Sequence, residues 1–544
     1  MIPCDEHIAQ GNLDLGSRER IPRSRADHGV PTSAVRCRGP SNHRRPARLS
    51  IVMFRLPIRY LLLLGLLPLG LAAQERPNFI VIFADDLGYG DLSSYGAKAH
   101  ETPRLDRMAQ EGIRLTNFYV SVPFCGPSRA TLLTGRYPFR TGLVVNPSPD
   151  IGRNEIGLPP SEITIAEALK ELGYATSAIG KWHLGHIEKY LPRKQGFDEY
   201  YGILYSNDMR PVQLVQDESV VQYPVLQSEL TKDYTQRAID FIERHRNEPF
   251  FLYLPHAMPH KPLAASEDFY TPETPDDLYS DAMRELDWSV GQILDKLRES
   301  SLDDKTFVFF TSDNGATYGG YNGGLRSSKA SNFDGGLRVP AIARWPGTIP
   351  PGQVSGAVLA SIDIFPTIVA AAGGELPGDR TIDGRDILPL LSGRASESPH
   401  EAIFAMGAEE LKMIRSGRWK LHVRAPEPGF PCLDDPNAYV DPRRPDGITI
   451  IAQFEQANRT QCPGVVTGPA PKPLMLFDME TDQAEQRDVA AEHPEIVARL
   501  KAIFEQLDAE VPDQFHSGDR SPTILWIEGG ALRYDRQIKP LPHD

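Results

Sequence analysis

Apolar residues in this chain gather in short unbroken runs. Pro77-Asn-Phe-Ile-Val-Ile-Phe-Ala84, Tyr174 to Gly180, Pro249-Phe-Phe-Leu-Tyr-Leu254 and Lys305-Thr-Phe-Val-Phe-Phe-Thr-Ser312 are continuous and rich in β-branched and aromatic residues. That is the pattern of strands covered on both faces. A fifth run extends through Trp345. Helical spacing appears over Glu162 to Leu172, Leu278 to Leu297 and Pro494 to Leu507, and Thr102-Pro103 reads as a helix start with proline at its first position. The first four runs each stop at a polar cluster: Asp85/Asp86, Lys181/His183, His256/His260 and Asp313/Asn314. Strands alternating with helices predict an α/β fold, a mostly parallel sheet flanked by helices, with one site at its carboxyl edge. Beyond Ser396 to His400 the runs become short and partly alternating, at Ile403-Phe-Ala, Lys412-Met-Ile-Arg, Arg418 to Val423 and Leu474 to Met479. They predict a smaller C-terminal antiparallel sheet plus one helix. The expected division is a catalytic domain over 74–398, a subdomain over 399–514 and a tail over 515–544.

Composition narrows this picture. The 544 residues carry a formal charge of −14, and no basic stripe points to nucleic acid. Five cysteines over this length do not form a disulfide scaffold. Cys432 and Cys462 are either free or bridged, and a bridge closing about thirty residues would contribute roughly 3–4 kcal/mol. Arg55 and Arg59, the apolar run after Tyr60 and the small residues Ala72-Ala73 have the layout of a secretory signal peptide over 53–73. The apolar run is shorter than the ~20 residues of a membrane span, so no stable membrane anchor is expected. Export to a periplasm, the extracellular space or, in an animal host, a lysosome follows. Residues 1–52 are expected to be an upstream gene-model extension, with Met53 the true start. Asn458-Arg-Thr460 is a glycosylation sequon in a eukaryotic host.

The chemistry centres on Val122-Pro-Phe-Cys-Gly-Pro-Ser-Arg-Ala-Thr-Leu-Leu-Thr-Gly135. Pro123, Gly126 and Pro127 are expected to keep the backbone irregular around Cys125, with a helix starting near Ser128. A sulfur at a helix start lies among unpaired backbone N–H groups that favour an anion, and Arg129 adds a fork of donors suited to sulfate or phosphate. Asp85, Asp86, Asp313 and Asn314 offer only oxygen ligands, which favours Ca²⁺ or Mg²⁺ over zinc. Lys181 and Lys329 supply positive charge. His183 and His260 titrate near working pH and are candidates for proton transfer. Lys181 and His183, two apart, would point the same way from an extended segment.

The cysteine string resembles the signature of the type I sulfatases. Asp85-Asp86-Leu-Gly-Tyr-Gly-Asp, Gly180-Lys-Trp-His-Leu-Gly, Asp313-Asn-Gly, Lys329…Phe-Asp-Gly-Gly, Arg418-Trp-Lys-Leu and Leu476-Phe-Asp-Met-Glu-Thr-Asp are similar to that family's other motifs, in its order. Gly202-Ile-Leu-Tyr-Ser206 and His256-Ala-Met-Pro-His260-Lys-Pro262 resemble the arylsulfatase A and N-acetylgalactosamine-6-sulfatase branch. The resemblance implies an alkaline-phosphatase-like fold and hydrolysis of sulfate esters on a small molecule or glycan. It also implies that Cys125 is converted to formylglycine by a formylglycine-generating enzyme. As the hydrate, Cys125 would ligate a metal held by Asp85, Asp86, Asp313 and Asn314, and attack sulfur. Arg129 and His183 would hold and deprotonate the diol, and Asp313 would help to activate it. His260 would protonate the leaving group. Lys181, Ser206, His260 and Lys329 would bind the substrate, and His256 is expected to be structural. Gly126 departs from the family's usual residues with no expected consequence. Two other readings stay open: a phosphonate or phosphate ester hydrolase with the same machinery, and an unconverted protein that binds sulfated glycans. Oligomeric state is open.

Overall fold

The four apolar runs that end in polar clusters become four adjacent strands. In the computed structural model, residues 76–148, 155–209, 212–223, 225–270, 278–407, 409–430 and 462–512 are described. The expected extension 1–52, the signal peptide, Cys432, the sequon and the tail lie outside them. The large sheet contains β1 (Asn78–Ala84), β2 (Ile113–Tyr119), β3 (Ala175–Ile179), β4 (Glu199–Gly202), β5 (Leu214–Gln216) and β6 (Ser219–Gln222). It continues with β7 (Phe250–Pro255), β8 (Thr306–Ser312), β9 (Arg338–Arg344), β10 (Gln353–Ser355) and β11 (Leu359–Ala360). Its order is β10-β2-β9-β8-β1-β7-β3-β4-β5-β6, with β11 also beside β2. The central strands β8, β1, β7 and β3 are all mutually parallel, with Val81 opposite both Phe309 and Tyr253. Their carboxyl ends therefore lie side by side. β9, the fifth predicted strand, runs antiparallel between β8 and β2.

Strand periodicity divides β1 between two cores. Phe79, Val81 and Phe83 face one that includes Ala130 and Leu133 of the helix Cys125–Thr134, with the helices Ile165–Glu171 and Ile364–Ala371. Ile80, Ile82 and Ala84 face the other, with the helices Pro103–Gln110, Leu230–Arg244 and Leu278–Glu299. Both faces are thus covered, which is why these strands read as continuous apolar runs. Each fully buried Val, Ile or Phe contributes about 1.5–3 kcal/mol.

The second sheet is antiparallel, β12 (Ile403–Met406), β13 (Leu411–Ser416), β14 (Trp419–His422) and β15 (Met475–Asp478), followed by the helix Pro494–Asp508. Its Ile403, Met413, Leu421 and Leu476 belong to the same apolar core as the Cys125–Thr134 helix. Cys462 is disulfide-bonded. Among the described residues no helix is long and apolar enough to cross a membrane.

Candidate active site

The helix that carries Cys125 starts earlier than the sequence predicts. Cys125 is its first residue, so Gly126 and Pro127 lie inside the first turn. Proline is tolerated there because the first-turn N–H groups have no intrahelical partner. All ten helical residues are buried. The Cys125 thiol donates to Asp85 Oδ1 at 3.6 Å and accepts from Lys329 Nζ at 3.1 Å. Burial pushes the thiol well above its usual range in spite of Lys181 and Lys329 nearby. As a plain side chain, Cys125 is therefore a protonated thiol rather than the anion its helix position suggested.

Asp85 and Asp86 follow directly from β1, and Asp86 takes a left-handed backbone (φ 61°). That turn separates the two carboxylates. Asp85 pairs with Lys181 and lies 3.3 Å from Arg129, whereas Asp86 accepts from Lys329 at 2.6 Å and from Asn314 Nδ2 at 2.7 Å. Against the upward push of burial, Lys181, His260 and Arg129 hold the Asp85 carboxyl well below its usual range. Asp313, just past β8, accepts from the Asp86 amide at 3.1 Å and from Arg129 at 2.9 Å. Burial and the neighbouring Asp85 push its carboxyl up to about 7.

Arg129 occupies the centre of this group, wholly buried, with Nη1 donating to the Lys181 carbonyl at 2.7 Å and its plane over Phe83 at 5.5 Å. Lys181 also donates to Ser206 Oγ at 3.0 Å. Its loop cannot be a simple extension of β3. Gly180 has φ 134° and a Cβ there would lie 1.9 Å from the Pro255 carbonyl oxygen, and His183 is itself left-handed at φ 57°. The expected extended segment is thereby corrected, although the Lys181 and His183 side chains still meet around Asp85 and Arg129. His183 Nε2 lies 3.1 Å from the Pro147 carbonyl oxygen, so Nε2–H donates and the buried, unpartnered Nδ1 is the acceptor. Burial, Lys181 and Arg129 push the imidazole well below its usual range, which keeps it neutral.

Histidines 256 and 260 separate clearly. His256 lies in the wall, 3.2 Å from Ser289 Oγ, and burial pushes it down to about 3. His260 Nδ1 lies 2.5 Å from the Lys261 carbonyl oxygen, leaving Nε2 at 3.6 Å from Asp86 Oδ2.

A divalent metal fits this arrangement. One ligand atom each from Asp85, Asp86, Cys125 and His260 falls within 4.8 Å of the others, and Asn314 Oδ1 is buried without a partner. The donors are mostly oxygen, as a hard cation requires. Asp313 is not in that tightest group, because Arg129 and the Asp86 amide draw its carboxylate aside.

All of the sequence-predicted residues thus converge, and three contributors were not read from sequence. Pro147 fixes the His183 tautomer, Asn146 accepts from the Gly126 amide at 2.9 Å, and Lys261 ties the His260 loop to the Tyr318 carbonyl at 2.6 Å. Pro147 and Asn146 belong to no motif quoted above, and Lys261 lies in the His256-to-Pro262 segment but carries no expected role there. A Cβ on Gly126 would lie 2.9 Å from the His183 carbonyl oxygen and 3.0 Å from Pro147, so the glycine does have a structural consequence.

Comparison with known proteins agrees with the geometry. The family model "Sulfatase" matches residues 77–374. N-acetylgalactosamine-6-sulfatase from Sus scrofa is 42% identical over 524 residues, covering 89% of this chain and 96% of that protein. Arylsulfatase A from Bos taurus is 36% identical, with 84% and 93% covered. The crystal structure of Ps i-CgsB, also solved in complex with k-i-k-neocarrahexaose, superposes with a TM-score of 0.66 at 28% identity, covering 81% of this chain and 94% of the other. The chain belongs to the sulfatase family, the enzymes that hydrolyse sulfuric esters.

Proposed function

We propose that this sulfatase cleaves a sulfate monoester on a glycan or small molecule, with Cys125 converted to formylglycine and Ca²⁺ or Mg²⁺ at Asp85, Asp86, Asp313 and Asn314. The observation that carries this reading is the setting of Cys125. Its thiol is protonated and buried, so it is a poor nucleophile as it stands, yet Lys329, Asp85 and Asp86 converge around it. Similarity to N-acetylgalactosamine-6-sulfatase favours a sulfated sugar as substrate. The signal-peptide-like segment 53–73 supports export.

When present, the formylglycine hydrate supplies one hydroxyl to attack sulfur and a second whose deprotonation expels sulfate. The metal supplies Lewis-acid stabilisation of the negative charge. The chain's own groups do the rest. Lys181, Lys329 and Ser206 bind the sulfate oxygens and offset the charge that repels an incoming nucleophile. His183, neutral with Nδ1 free to accept, takes the proton from the position of the Cys125 side chain, and Arg129 holds the oxygen there. Asp313 is the second acceptor at the attacking group. His260 would protonate the leaving oxygen from Nε2 in its doubly protonated form, since its Nδ1–H is engaged with the Lys261 carbonyl.

The deciding experiment is turnover of a chromogenic aryl sulfate by wild type and Cys125→Ala, with and without a chelator, alongside the mass of the Cys125 peptide. Turnover lost in the variant and on chelation, with the aldehyde present, is expected. An intact thiol in active wild-type protein would refute the reading. Sulfate and phosphonate esters of one phenol in competition test the choice of ester, with sulfate expected to be preferred.

A further inference from the structure

Lys329 reaches the site from a loop that the C-terminal sheet grips along most of its length. Asn332 Nδ2 donates to the Met406 carbonyl at 2.8 Å, and Ser331 Oγ to the Glu427 carbonyl at 2.8 Å. The Phe333 ring lies between the Arg326 guanidinium, 3.8 Å from its centroid, and the His422 ring at 5.1 Å. At the base is a wholly buried charge network. Lys420 Nζ, on β14, donates to the Asn332 carbonyl at 3.0 Å and to Asp334 Oδ1 at 2.7 Å, and lies 2.9 Å from Glu485 Oε1. Glu485 Oε2 accepts the Asp334 amide at 2.6 Å, and its Oε1 lies 2.9 Å from His422 Nε2. Against the upward push of burial, Lys420 and His422 hold the Glu485 carboxyl down at about 2. From the catalytic side the same loop is fixed by Lys329 N donating to the Ala316 carbonyl at 3.0 Å and Ala330 N to the Pro123 carbonyl at 3.2 Å. Pro123 lies two residues before Cys125.

Buried charges of this kind are a costly route to stability, since apolar residues of similar volume often do as well or better. What they supply here is position: Lys420 binds a main-chain carbonyl and a side chain of the Lys329 loop at once. We infer that Lys420 and Glu485 are positioning residues through which the C-terminal sheet sets the Lys329 ammonium against Asp86 and Cys125. This rests on the proposed role of Lys329 in sulfate binding.

The test is a double-mutant cycle. Lys420→Met and the isosteric Glu485→Gln are each made in wild type and in Lys329→Met. For every variant kcat, KM, inhibition by inorganic sulfate and the sulfate-induced shift in Tm are measured on the metal-loaded full chain. In the wild-type background each substitution is expected to lower kcat/KM by about 10- to 100-fold and to weaken sulfate inhibition, and in the Lys329→Met background to add less than about 3-fold. Glu485→Gln keeps the shape of the side chain, so it carries the test if Lys420→Met does not fold. The sulfate-induced Tm shift makes the same comparison without turnover. Should Lys329→Met itself change neither kinetics nor the shift, the sulfate-binding role of Lys329 fails, and the inference with it. If Lys329→Met is impaired and the Lys420 and Glu485 effects multiply in full with it, or lower Tm alone, the positioning inference is overturned while the proposed function stands.

Discussion

Arg129 holds three acceptors from three strand ends, so its removal is a sharp test of the site's electrostatics. In Arg129→Met the guanidinium bonds to Asp313 and the Lys181 carbonyl disappear, together with the 3.3 Å approach to Asp85. Asp85 keeps Lys181, so most of the loss falls on Asp313, which has full burial and no other ion-pair contact among the described residues. Removing one partner of a buried pair costs about 3–5 kcal/mol. The sign with pH follows from the carboxyl. Its folded value, about 7 with Arg129 present, must rise further without it. A carboxyl with a raised folded value contributes stability below its unfolded value of ~3.9 and loses it as pH climbs through the folded value. The pH-dependent part of the penalty is therefore small near pH 5 and grows above about pH 7, by about 1.4 kcal/mol per pH unit until the variant's own higher folded value is passed. Urea unfolding of chelated wild type, Arg129→Met, Asp313→Asn and the double variant at both pH values measures this. We expect the double variant to recover about 1.5–3 kcal/mol relative to additivity at pH 8. Additive losses, or a penalty equal at the two pH values, would refute the argument.

Glu285 is buried, with Ser266 N–H on Oε2 at 3.0 Å and Oε1 unpartnered, and burial pushes its carboxyl up to about 7. Glu285→Gln should therefore raise stability near pH 8, by up to about 3 kcal/mol, and leave it unchanged near pH 4.5, as read from Tm across that range. Gly126→Val should displace Pro147 or the His183 backbone and lower kcat with near-native circular dichroism; an unchanged kcat would show that this contact is slack. Ca²⁺ at about one hundred times its Kd should stabilise the chelated protein by ~2.7 kcal/mol, an increment that Asp86→Ala, followed by calorimetry, should largely abolish.

Much of the fold was legible because β1, β3, β7 and β8 are covered on both faces, so composition alone marks them as strands. β2 was not read, since Ile113-Arg-Leu-Thr-Asn-Phe-Tyr119 is partly exposed and breaks the apolar run. The edge strands β4 to β6 are only three or four residues long and leave too short a signal. In the site, side chains at strand ends were visible as clusters, whereas groups acting through main-chain atoms were not. The Pro147 carbonyl that orients His183 has no residue-type signature, because any residue supplies a carbonyl. The left-handed backbone at Asp86 and His183 is equally silent in sequence. Both are non-glycine residues at strain-bearing positions, which concentrate at functional sites.

The charge pattern links metal and substrate. Lys181 is paired with Asp85, Lys329 with Asp86 and Arg129 with Asp313, so each of these cations already has a carboxyl partner. A sulfate ester entering this site alone would add an uncompensated anion and draw lysines from carboxylates that would then be buried and unpaired. A divalent cation on Asp85 and Asp86 changes the balance by two charges. Held there, it would offset the two carboxylates and leave the Lys181 and Lys329 ammonium groups available to the sulfate oxygens. Under the proposed function Lys181 and Lys329 would then have two sets of partners, the choice between them set by metal occupancy. The lysines, which pair with carboxylates in this structure, would pair with the ester in turnover, and sulfate binding should depend on metal occupancy.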